Sequence, residues 1–354
     1  MLAIHSFADS HTHAYVPFDK GFHCYEKMAS LGVTDVNLLA YTYIETGIDN
    51  NLVCLYYKAK CNALKLRVFG GLYYDKGINN DKMPYLEQAK LLLAMGCEGI
   101  KFLDMKPNYN LYCGCSMDDH VYDELYDYLE ENQIPLVTHI ADPANFWHRD
   151  QMSQWAIDYG WCYDDPKFLT QQQIFDCTIR RLEKNPALKM SLAHCGFMTK
   201  QPDLFCSMLD RFPNVTFDLA PGWEIFVDFS KDVDRWQEIF THYNRRILYG
   251  TDTCTTQNDD RITALNRTMI ETVSHDKTEL PIPHHPAANM KGLDLDATSQ
   301  QNILNDNYFR HVGTDIKPID KSLFLEHAAL IRKIAANDHD SAMCDTIDFM
   351  TSTI

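Results

Sequence analysis

The sequence predicts an α/β protein: a distorted (β/α)8 barrel, or TIM barrel, that forms a single domain. Eight short apolar runs, rich in β-branched residues, recur along the chain with helix-like stretches between them. Most runs are continuously hydrophobic, as expected for parallel strands that are buried on both faces. A doubly wound open sheet is the commonest competitor, but it would need a glycine-rich phosphate turn after an early strand, and the sequence has none.

The eight runs define the predicted strands. These cover residues 5–11, 33–40, 66–74, 97–103, 134–140, 189–195, 215–220 and 246–252. In a barrel of this kind the carboxyl ends of the strands meet at one face, where active sites form. We therefore expect the active-site residues at the carboxyl ends of these strands.

Helical periodicity with start and stop signals predicts the connecting helices. The clearest are 81–96, 118–133, 203–213, 299–312 and 321–337. The first ends at Gly96, a residue suited to the left-handed C-terminal cap of a helix. The second begins with an aspartate cap and places Val121, Leu125 and Leu129 on one face. The third stops at Pro213, just before the seventh strand.

We expect one domain over residues 1–354, with a barrel core over about 5–312 and a C-terminal helical extension over 313–354. Two connections are too long to be plain turns. One covers about 141–170, after the fifth strand, and the other covers 253–299, after the eighth. Both would lie at the carboxyl-terminal face of the barrel.

Charge excludes one class of partner. The chain carries 32 Lys and Arg against 49 Asp and Glu, a formal net charge of −17. Nucleic-acid binding depends on basic side chains that neutralise phosphates, so we expect no nucleic-acid partner. A small-molecule substrate is the expected partner, and a homodimer remains open.

Location is predicted from what the sequence lacks. The first residues do not form a signal peptide, and no run approaches eighteen apolar residues, so we expect no membrane partner. The twelve cysteines are scattered, and only Cys113 and Cys115 lie close together. Reduced thiols in a cytoplasmic protein fit this pattern better than a disulfide framework or a zinc ribbon.

The stretch "FADSHTHAY", residues 7–15, contains the first candidate site. His11 and His13 lie two residues apart at the end of the first strand, so both side chains point to the same face. Imidazole is a good ligand for zinc and related metals. The alternative is a pair of ordinary polar residues at the end of a strand.

Three further strand ends carry titratable groups. His139 ends the fifth strand, His194 the sixth and Asp252 the eighth. Burial of such a group without a partner is costly, so its presence at an otherwise apolar strand end requires an explanation. Convergence of four strand ends on one metal site is the reading we favour.

The motifs "DSHTH", "GIKFL", "PLVTHIAD", "SLAHCGF", "RILYGTDT" and "NILNDNYFR", in this order, resemble the amidohydrolase superfamily. They are most similar to its amidohydrolase-related (amidohydrolase 2) branch, which includes aminocarboxymuconate-semialdehyde decarboxylase. The resemblance covers about residues 5–312 and implies a distorted (β/α)8 barrel with a divalent metal at the strand ends.

The resemblance also implies roles for individual residues. His11, His13, His139 and Asp252 would be the metal ligands, and His194 the catalytic histidine beside the metal. Asp252 would also accept a proton from water. Zn²⁺ is the expected ion, with Mn²⁺, Fe²⁺ and Mg²⁺ open. For Asp9, deeper in the first strand, we favour a supporting role behind the ligands or a structural one.

Lys101 in the fourth strand has two readings by resemblance. In binuclear members of the superfamily a lysine in this strand is carboxylated and bridges two metals, which would allow a second ion here. In the one-metal design the same lysine can contact an anionic substrate, and we favour that reading.

Other substrate contacts are predicted from positions just past the strand ends. The first choices are Arg149, because an Arg fork suits a carboxylate, with Trp223 and Tyr73 as pocket walls. Weaker candidates of the same kind are Tyr41, Tyr74, Lys106, His148, Glu224, His284 and His285. Packing or a solvated surface explains each of them about as well.

The predicted function is therefore a metal-dependent hydrolase that attacks an amide, ester or lactone carbonyl of a small, carboxylated molecule through a metal-activated water. The alternative is a metal-dependent non-oxidative decarboxylase, a carbon–carbon lyase, that uses the same site. A non-catalytic barrel is the third hypothesis, and it would be expected to have lost some of the five site residues.

Overall fold

The computed structural model describes most of the chain. The described residues are 6–40, 50–74, 83–221, 223–283 and 288–354, apart from the side chain of Trp223. Tyr41, His284 and His285, three of the weaker candidates, lie outside them.

A parallel sheet forms the centre of the molecule. Its strands are β1 (Phe7–His13), β2 (Val33–Leu39), β3 (Lys65–Gly71), β4 (Gly99–Met105), β5 (Leu136–Ile140), β6 (Met190–Leu192), β7 (Thr216–Asp218), β8 (Ile247–Leu248) and β9 (Thr253–Cys254). They follow one another in space in the order β8-β7-β6-β5-β4-β3-β2-β1-β9, and the neighbours are parallel. All eight predicted strands are present, and the TIM-barrel prediction is confirmed.

The eighth position of the barrel is occupied by two short strands. β8 pairs with β7 on one side and β9 pairs with β1 on the other. Between them, the amide of Ser10 donates a 2.9 Å hydrogen bond to the carbonyl of Tyr249. The first strand therefore meets the last part of the barrel core, and the barrel closes there.

Helices surround the sheet. They are α1 (Phe18–Ser30), α2 (Asn50–Lys60), α3 (Tyr85–Met95), α4 (Pro107–Cys113), α5 (Asp123–Glu131), α6 (Gln154–Asp158), α7 (Gln171–Lys184), α8 (Pro202–Arg211), α9 (Trp223–Lys231), α10 (Val233–His242), α11 (Asp259–Ser274), α12 (Ala297–Gln301), α13 (Asn307–Val312), α14 (Lys321–Asn337) and α15 (Ser341–Thr353). The main hydrophobic core lies between these helices and the outer face of the sheet.

Local signals explain where several helices begin and end. Gly96 ends α3 at φ +118°, a conformation that favours glycine, as predicted. The predicted helix 118–133 is split: Asp119 caps a short 3₁₀ turn, and α5 follows it. Because the turn rotates the chain, Val121 is exposed, whereas Leu125 and Leu129 are buried as predicted.

The two long connections contain structure of their own. The one after β5 folds around a small separate core of Phe146, Ala156 and Tyr163. The one after β8 contains α11, which was not assigned from the sequence, and a hairpin of β10 (Glu279–Pro281) and β11 (Asn289–Lys291). Asn258 caps α11 through a hydrogen bond from the amide of Arg261.

The C-terminal extension packs on the outside of the barrel. α14 coincides with the predicted helix 321–337, and α15 is an additional helix packed against it. The ring of His327 on α14 lies 2.8 Å from the hydroxyl of Tyr73, just beyond β3. Among the described residues, no helix is both long enough and apolar enough to cross a membrane.

The carboxyl group of Asp104 is buried on the outer face of β4. Phe102, on the same face, stacks on Tyr126 of α5. Neither oxygen of Asp104 has a hydrogen-bond partner among the described residues. Burial raises the pKa of Asp104 from 3.8 to about 7. The folded protein therefore retains a proton that the unfolded chain releases between these two pH values, so this group lowers stability as the pH rises.

We expect Asp104→Asn to stabilise the protein, with a gain that grows from about pH 4 to about pH 7 and then stays constant. The neutral amide avoids the buried charge, and the gain above pH 7 should be on the order of 1–3 kcal/mol. Urea denaturation at pH 5 and pH 8 measures the difference in unfolding free energy. Equal gains at both pH values would contradict the assignment of a buried, proton-binding carboxyl group.

Candidate metal centre

The first strand brings two imidazoles to the mouth of the barrel. His11 and His13 occupy alternate positions at the end of β1, so their side chains leave the same face of the strand. Their ring centroids lie 5.2 Å apart, and both side chains are buried. The two rings thus face the same small volume.

Asp252 reaches this volume from the other end of the barrel core. It lies between β8 and β9 at φ +53°, a left-handed conformation that aspartate tolerates better than most residues. Its amide donates a 2.8 Å hydrogen bond to the carbonyl of His11. Gly250 allows the close approach, because a Cβ there would lie 3.0 Å from the Cβ of His11.

These three side chains form a group that can hold a metal ion. One ligand atom from each of His11, His13 and Asp252 lies within 4.8 Å of the others. Nε2 of His13 is 3.1 Å from Oδ1 of Asp252, and Nε2 of His11 is 3.7 Å from the same oxygen. Two ligands of one tetrahedral zinc, each about 2.1 Å from the ion, are about 3.4 Å apart. The spacing therefore fits a transition-metal ion.

The orientation of the rings supports the same conclusion. Nδ1 of His11 lies 2.9 Å from Oδ2 of Asp218, and Nδ1 of His13 lies 2.8 Å from the carbonyl of Leu39. Both partners are acceptors, so each Nδ1 carries the proton and each Nε2 keeps its lone pair. Metal-binding histidines in proteins are fixed in this way.

Asp218, at the end of β7, was not singled out in the sequence. Burial alone would raise its pKa, but the attraction and hydrogen bond of His11 outweigh burial and lower the pKa to about 2. Its other oxygen accepts a 2.7 Å hydrogen bond from the amide of His194. One carboxylate therefore orients the metal-facing histidine and fixes the start of the turn after β6. An aspartate ending a buried strand, in "VTFDLA", was the available signal.

Asp9 has a structural role. It accepts hydrogen bonds from the amides of His11 and Thr251, both 3.1 Å long, and from the hydroxyl of Thr251. It holds the chain between β8 and β9 against β1, and among the described residues its hydrogen bonds go to His11 and Thr251, not to an imidazole ring. The carboxylate behind His11 is Asp218 instead.

His194 lies beside the group. It follows β6 at φ +57°, and its ring centroid is 4.9 Å from that of His11. Nδ1 lies 3.1 Å from the carbonyl of Ala220, which leaves Nε2 as an acceptor. Burial lowers the pKa of His194 to about 4, so the ring is neutral at physiological pH.

His139, the fourth ligand in the sequence-based prediction, is not part of the group formed by His11, His13 and Asp252. Its ring centroid lies 4.9 Å from that of His194. Its Nε2 lies 3.2 Å from Oδ1 of Asp142. The assignment of His139 as a fourth metal ligand stays a prediction.

The pair of His139 and Asp142 belongs to a larger buried network. Nζ of Lys106 lies 2.8 Å from both carboxylate oxygens of Asp142, and the hydroxyl of Tyr163 donates a 2.6 Å bond to one of them. Burial would raise the pKa of Asp142, but Lys106 and His139 hold it well below its ordinary value. The weaker candidate Lys106 is therefore neutralised within the protein.

Lys101 differs from Lys106 because its charge is not neutralised by a contact. Its side chain is 1% exposed, and its Nζ has no hydrogen-bond partner among the described residues. Burial lowers its pKa to about 8, although Asp218 and Asp252 partly oppose this effect. It lines the same cavity as His11, so its ammonium group is available to an anionic ligand.

Two of the predicted substrate contacts lie elsewhere. Arg149 pairs with Asp164 on the surface, with Nε 2.8 Å from the carboxylate and 58% of its side chain exposed. The hydroxyl of Tyr73 is engaged by His327 and by Asn51, 3.1 Å away. Neither residue lines the cavity over the histidines. Trp223 begins α9, and its side chain is outside the described part of the chain.

The metal group forms the floor of a cavity of about 970 Å³. The cavity also brings together side chains from the connections after β4, β5, β6, β7 and β8. Its ionisable lining includes Lys101, Lys106, Lys200, Glu224 and Arg261. Burial raises the pKa of Glu224 to about 7, although this residue was predicted only as a weak candidate. The volume is at the upper end of the range for small-molecule sites.

A family model described as Amidohydrolase matches residues 84–307, more than half of the chain. This chain belongs to the amidohydrolase family. The matched part of this amidohydrolase includes His139, His194, Asp218 and Asp252, whereas β1 with its two histidines precedes it. Metal dependence is general in the family, and the group of two histidines and an aspartate is in keeping with it.

Solved structures resemble this amidohydrolase in fold. An uncharacterised TIM-barrel protein from Bordetella bronchiseptica is 13% identical with a TM-score of 0.51, covering 87% of this chain and all of that one. A 4-oxalomesaconate hydratase from Rhodopseudomonas palustris is 13% identical with a TM-score of 0.50, covering 86% of this chain and 95% of that one. A search among curated proteins finds no match.

We expect Asp218→Asn to weaken zinc binding by about 10- to 100-fold, because the amide is a poorer acceptor for Nδ1 of His11. Titration of the metal-free protein with Zn²⁺ against a competing chelator measures the change. Asp228→Asn is the matched control, since Asp228 lines the cavity but bonds to Thr199 and Lys231. Equal losses in both variants would contradict a specific role for Asp218.

Proposed function

We propose that this amidohydrolase is a one-metal hydrolase that cleaves an amide, ester or lactone bond in a small carboxylate. The observation that carries the proposal is the group of His11, His13 and Asp252, with both imidazoles oriented through Nδ1 so that Nε2 faces the cavity. Zinc suits this donor set best, because it favours imidazole nitrogen and carboxylate oxygen in a small, tetrahedral site.

A zinc ion held by these residues would supply a Lewis acid and an acidified water molecule. The protein supplies the remaining requirements. Asp252 is kept ionised, because its pKa lies well below the ordinary value. An ionised carboxylate can bind the ion through one oxygen, and its other lone pairs are the acceptor that we propose for the proton that the attacking water loses.

His194 provides a second polar contact for the reacting group. Its proton is held on Nδ1 by the carbonyl of Ala220, so Nε2 can accept a hydrogen bond from water or from a substrate N–H. A neutral ring of this kind positions the nucleophile or the leaving group without adding charge to the site.

Lys101 supports a carboxylated substrate. An ammonium group that is buried without a hydrogen-bond partner among the described residues loses solvation, and a substrate carboxylate would compensate for that loss on binding. The anchor would act in both the bound substrate and the transition state, so it should affect substrate affinity more than the rate of the chemical step.

A decarboxylase remains the second candidate, and Lys101 is the observation that favours it. An unpaired ammonium group in the same cavity as the metal ligands would hold a carboxylate close to the ion, as loss of CO2 requires. Release of CO2 without consumption of water would identify this reaction, and release of an amine or alcohol would identify hydrolysis.

The first experiment is the metal content of protein purified without added metal, measured by elemental mass spectrometry. We expect about one transition-metal ion per chain in the wild type and much less in Asp252→Asn. Two ions per chain would favour a carboxylated Lys101 as a bridge. Failure to bind zinc or manganese even after reloading would contradict the proposal.

Two variants separate chemistry from binding once a substrate is found in a screen. We expect His194→Asn to lower kcat by about 10²- to 10⁴-fold with the metal retained. We expect Lys101→Met to raise KM by about tenfold or more for a carboxylated substrate, with a smaller effect on kcat. Steady-state kinetics with parallel metal analysis tests both expectations. Unchanged activity in His194→Asn would exclude it from the reaction.

A further inference from the structure

The outer half of the cavity has a wall of aromatic rings that the reaction itself does not require. We call Phe146, Trp155 and Trp161 the aromatic wall; all three belong to the connection after β5 and line the cavity. Trp155 and Trp161 meet edge to face at 5.5 Å, and Phe146 stacks on Trp161 at 6.2 Å. Trp155 is 51% exposed, so the wall borders open solvent at the mouth.

Two of the three rings of the aromatic wall are held in place by packing. Phe146 belongs to the separate small core of this connection, against which Trp161 packs. Nζ of Lys106 also lies over the ring of Trp161, 4.9 Å from its centroid. Lys106 is itself fixed by Asp142. A preformed ring surface loses little conformational freedom when a ligand stacks on it.

The aromatic wall and the metal group are parts of one cavity. The chain of contacts Trp161, Lys106, Asp142 and His139 connects the wall to the ring beside His194. The lining also contains the apolar side chains of Phe197, Phe226, Val227 and Ile282. Phe197 stacks on the ring of His194 at 5.2 Å. A ligand with its carboxylate at Lys101 would therefore place the rest of its body among apolar side chains.

We propose that the aromatic wall is a subsite for the aryl ring of the substrate, and that the substrate class is an arylalkyl carboxylate. This proposal rests on the proposed function for the carboxylate end and adds the ring at the other end. Trp155 and Trp161 both present ring atoms to the cavity. Such a lining favours an aromatic partner over a saturated one, because offset and edge-to-face ring contacts add to the gain from burial.

The test is binding of three probes to the zinc-loaded full chain by calorimetry: propionate, 3-phenylpropionate and 3-cyclohexylpropionate. We expect 3-phenylpropionate to bind about tenfold or more tighter than propionate, and more tightly than its cyclohexyl analogue. Similar affinity for all three probes, or no detectable binding of any, would overturn the proposal. Equal affinity of the two ring compounds would overturn the choice of an aryl group.

Variants locate the subsite. We expect Trp161→Leu and Trp155→Leu each to reduce the preference for 3-phenylpropionate over propionate by about threefold or more, with zinc content unchanged. Trp155 is largely exposed, so its replacement should not affect folding. Tyr159→Leu is the matched control, because Tyr159 is 70% exposed, contacts both tryptophans and does not line the cavity. A preference unchanged in both tryptophan variants, or equally reduced in the control, would overturn the assignment.

The proposed function and the subsite can fail separately. Absence of bound zinc would contradict the metal-dependent hydrolase, whereas the probes can still bind through Lys101 and the aromatic wall. Conversely, a zinc-containing protein that hydrolyses a substrate but shows no preference for 3-phenylpropionate would retain the proposed function and lose the subsite. Lys101→Met should weaken all three probes alike, which separates the carboxylate anchor from the ring.

Discussion

Closure of the barrel is the constraint on which the candidate site depends. β1 and the chain around β8 and β9 are more than 200 residues apart, and only their meeting places Asp252 beside the two histidines. The amide of Asp252 bonds to the carbonyl of His11, so the backbone that closes the barrel also sets the spacing of the ligand atoms. A metal ion bound by these three side chains would also stabilise the contact between β1 and the chain around Asp252.

The second requirement is the direction of each imidazole, and neighbouring strands supply it. Nδ1 of His11 is held from the end of β7 and Nδ1 of His13 from the end of β2. His194 is held from the residues just after β7. Because the acceptors belong to the sheet, the rings are fixed before any ligand arrives, which reduces the reorganisation needed for binding and catalysis.

The sequence was informative where the relevant signal is local. Apolar runs mark strands buried on both faces, and the parity of His11 and His13 follows from the geometry of one strand. The partners of these rings depend on which strands become neighbours, which no local pattern of residues shows. Asp218 and Asp142 were therefore missed as the partners of His11 and His139. The role of His139 as a metal ligand stays a prediction. Tyr73 and Arg149 follow β3 and β5, as the sequence indicates. Tyr73 contacts His327 and Arg149 contacts Asp164, and neither contact could be predicted from the sequence near them.

Lys101 and Asp104 show that a buried charged group has different consequences on the two faces of one strand. They lie three residues apart on β4; Lys101 lines the cavity, whereas Asp104 is buried on the helix side, near Arg181 of α7. Both are buried without a hydrogen-bond partner among the described residues. Asp104 faces the helices, where no ligand can reach it. Protonation therefore reduces the free-energy cost of burying its carboxyl group. Lys101 faces the cavity, where a bound anion can restore the lost solvation, and an unsatisfied group there makes the site selective for such ligands.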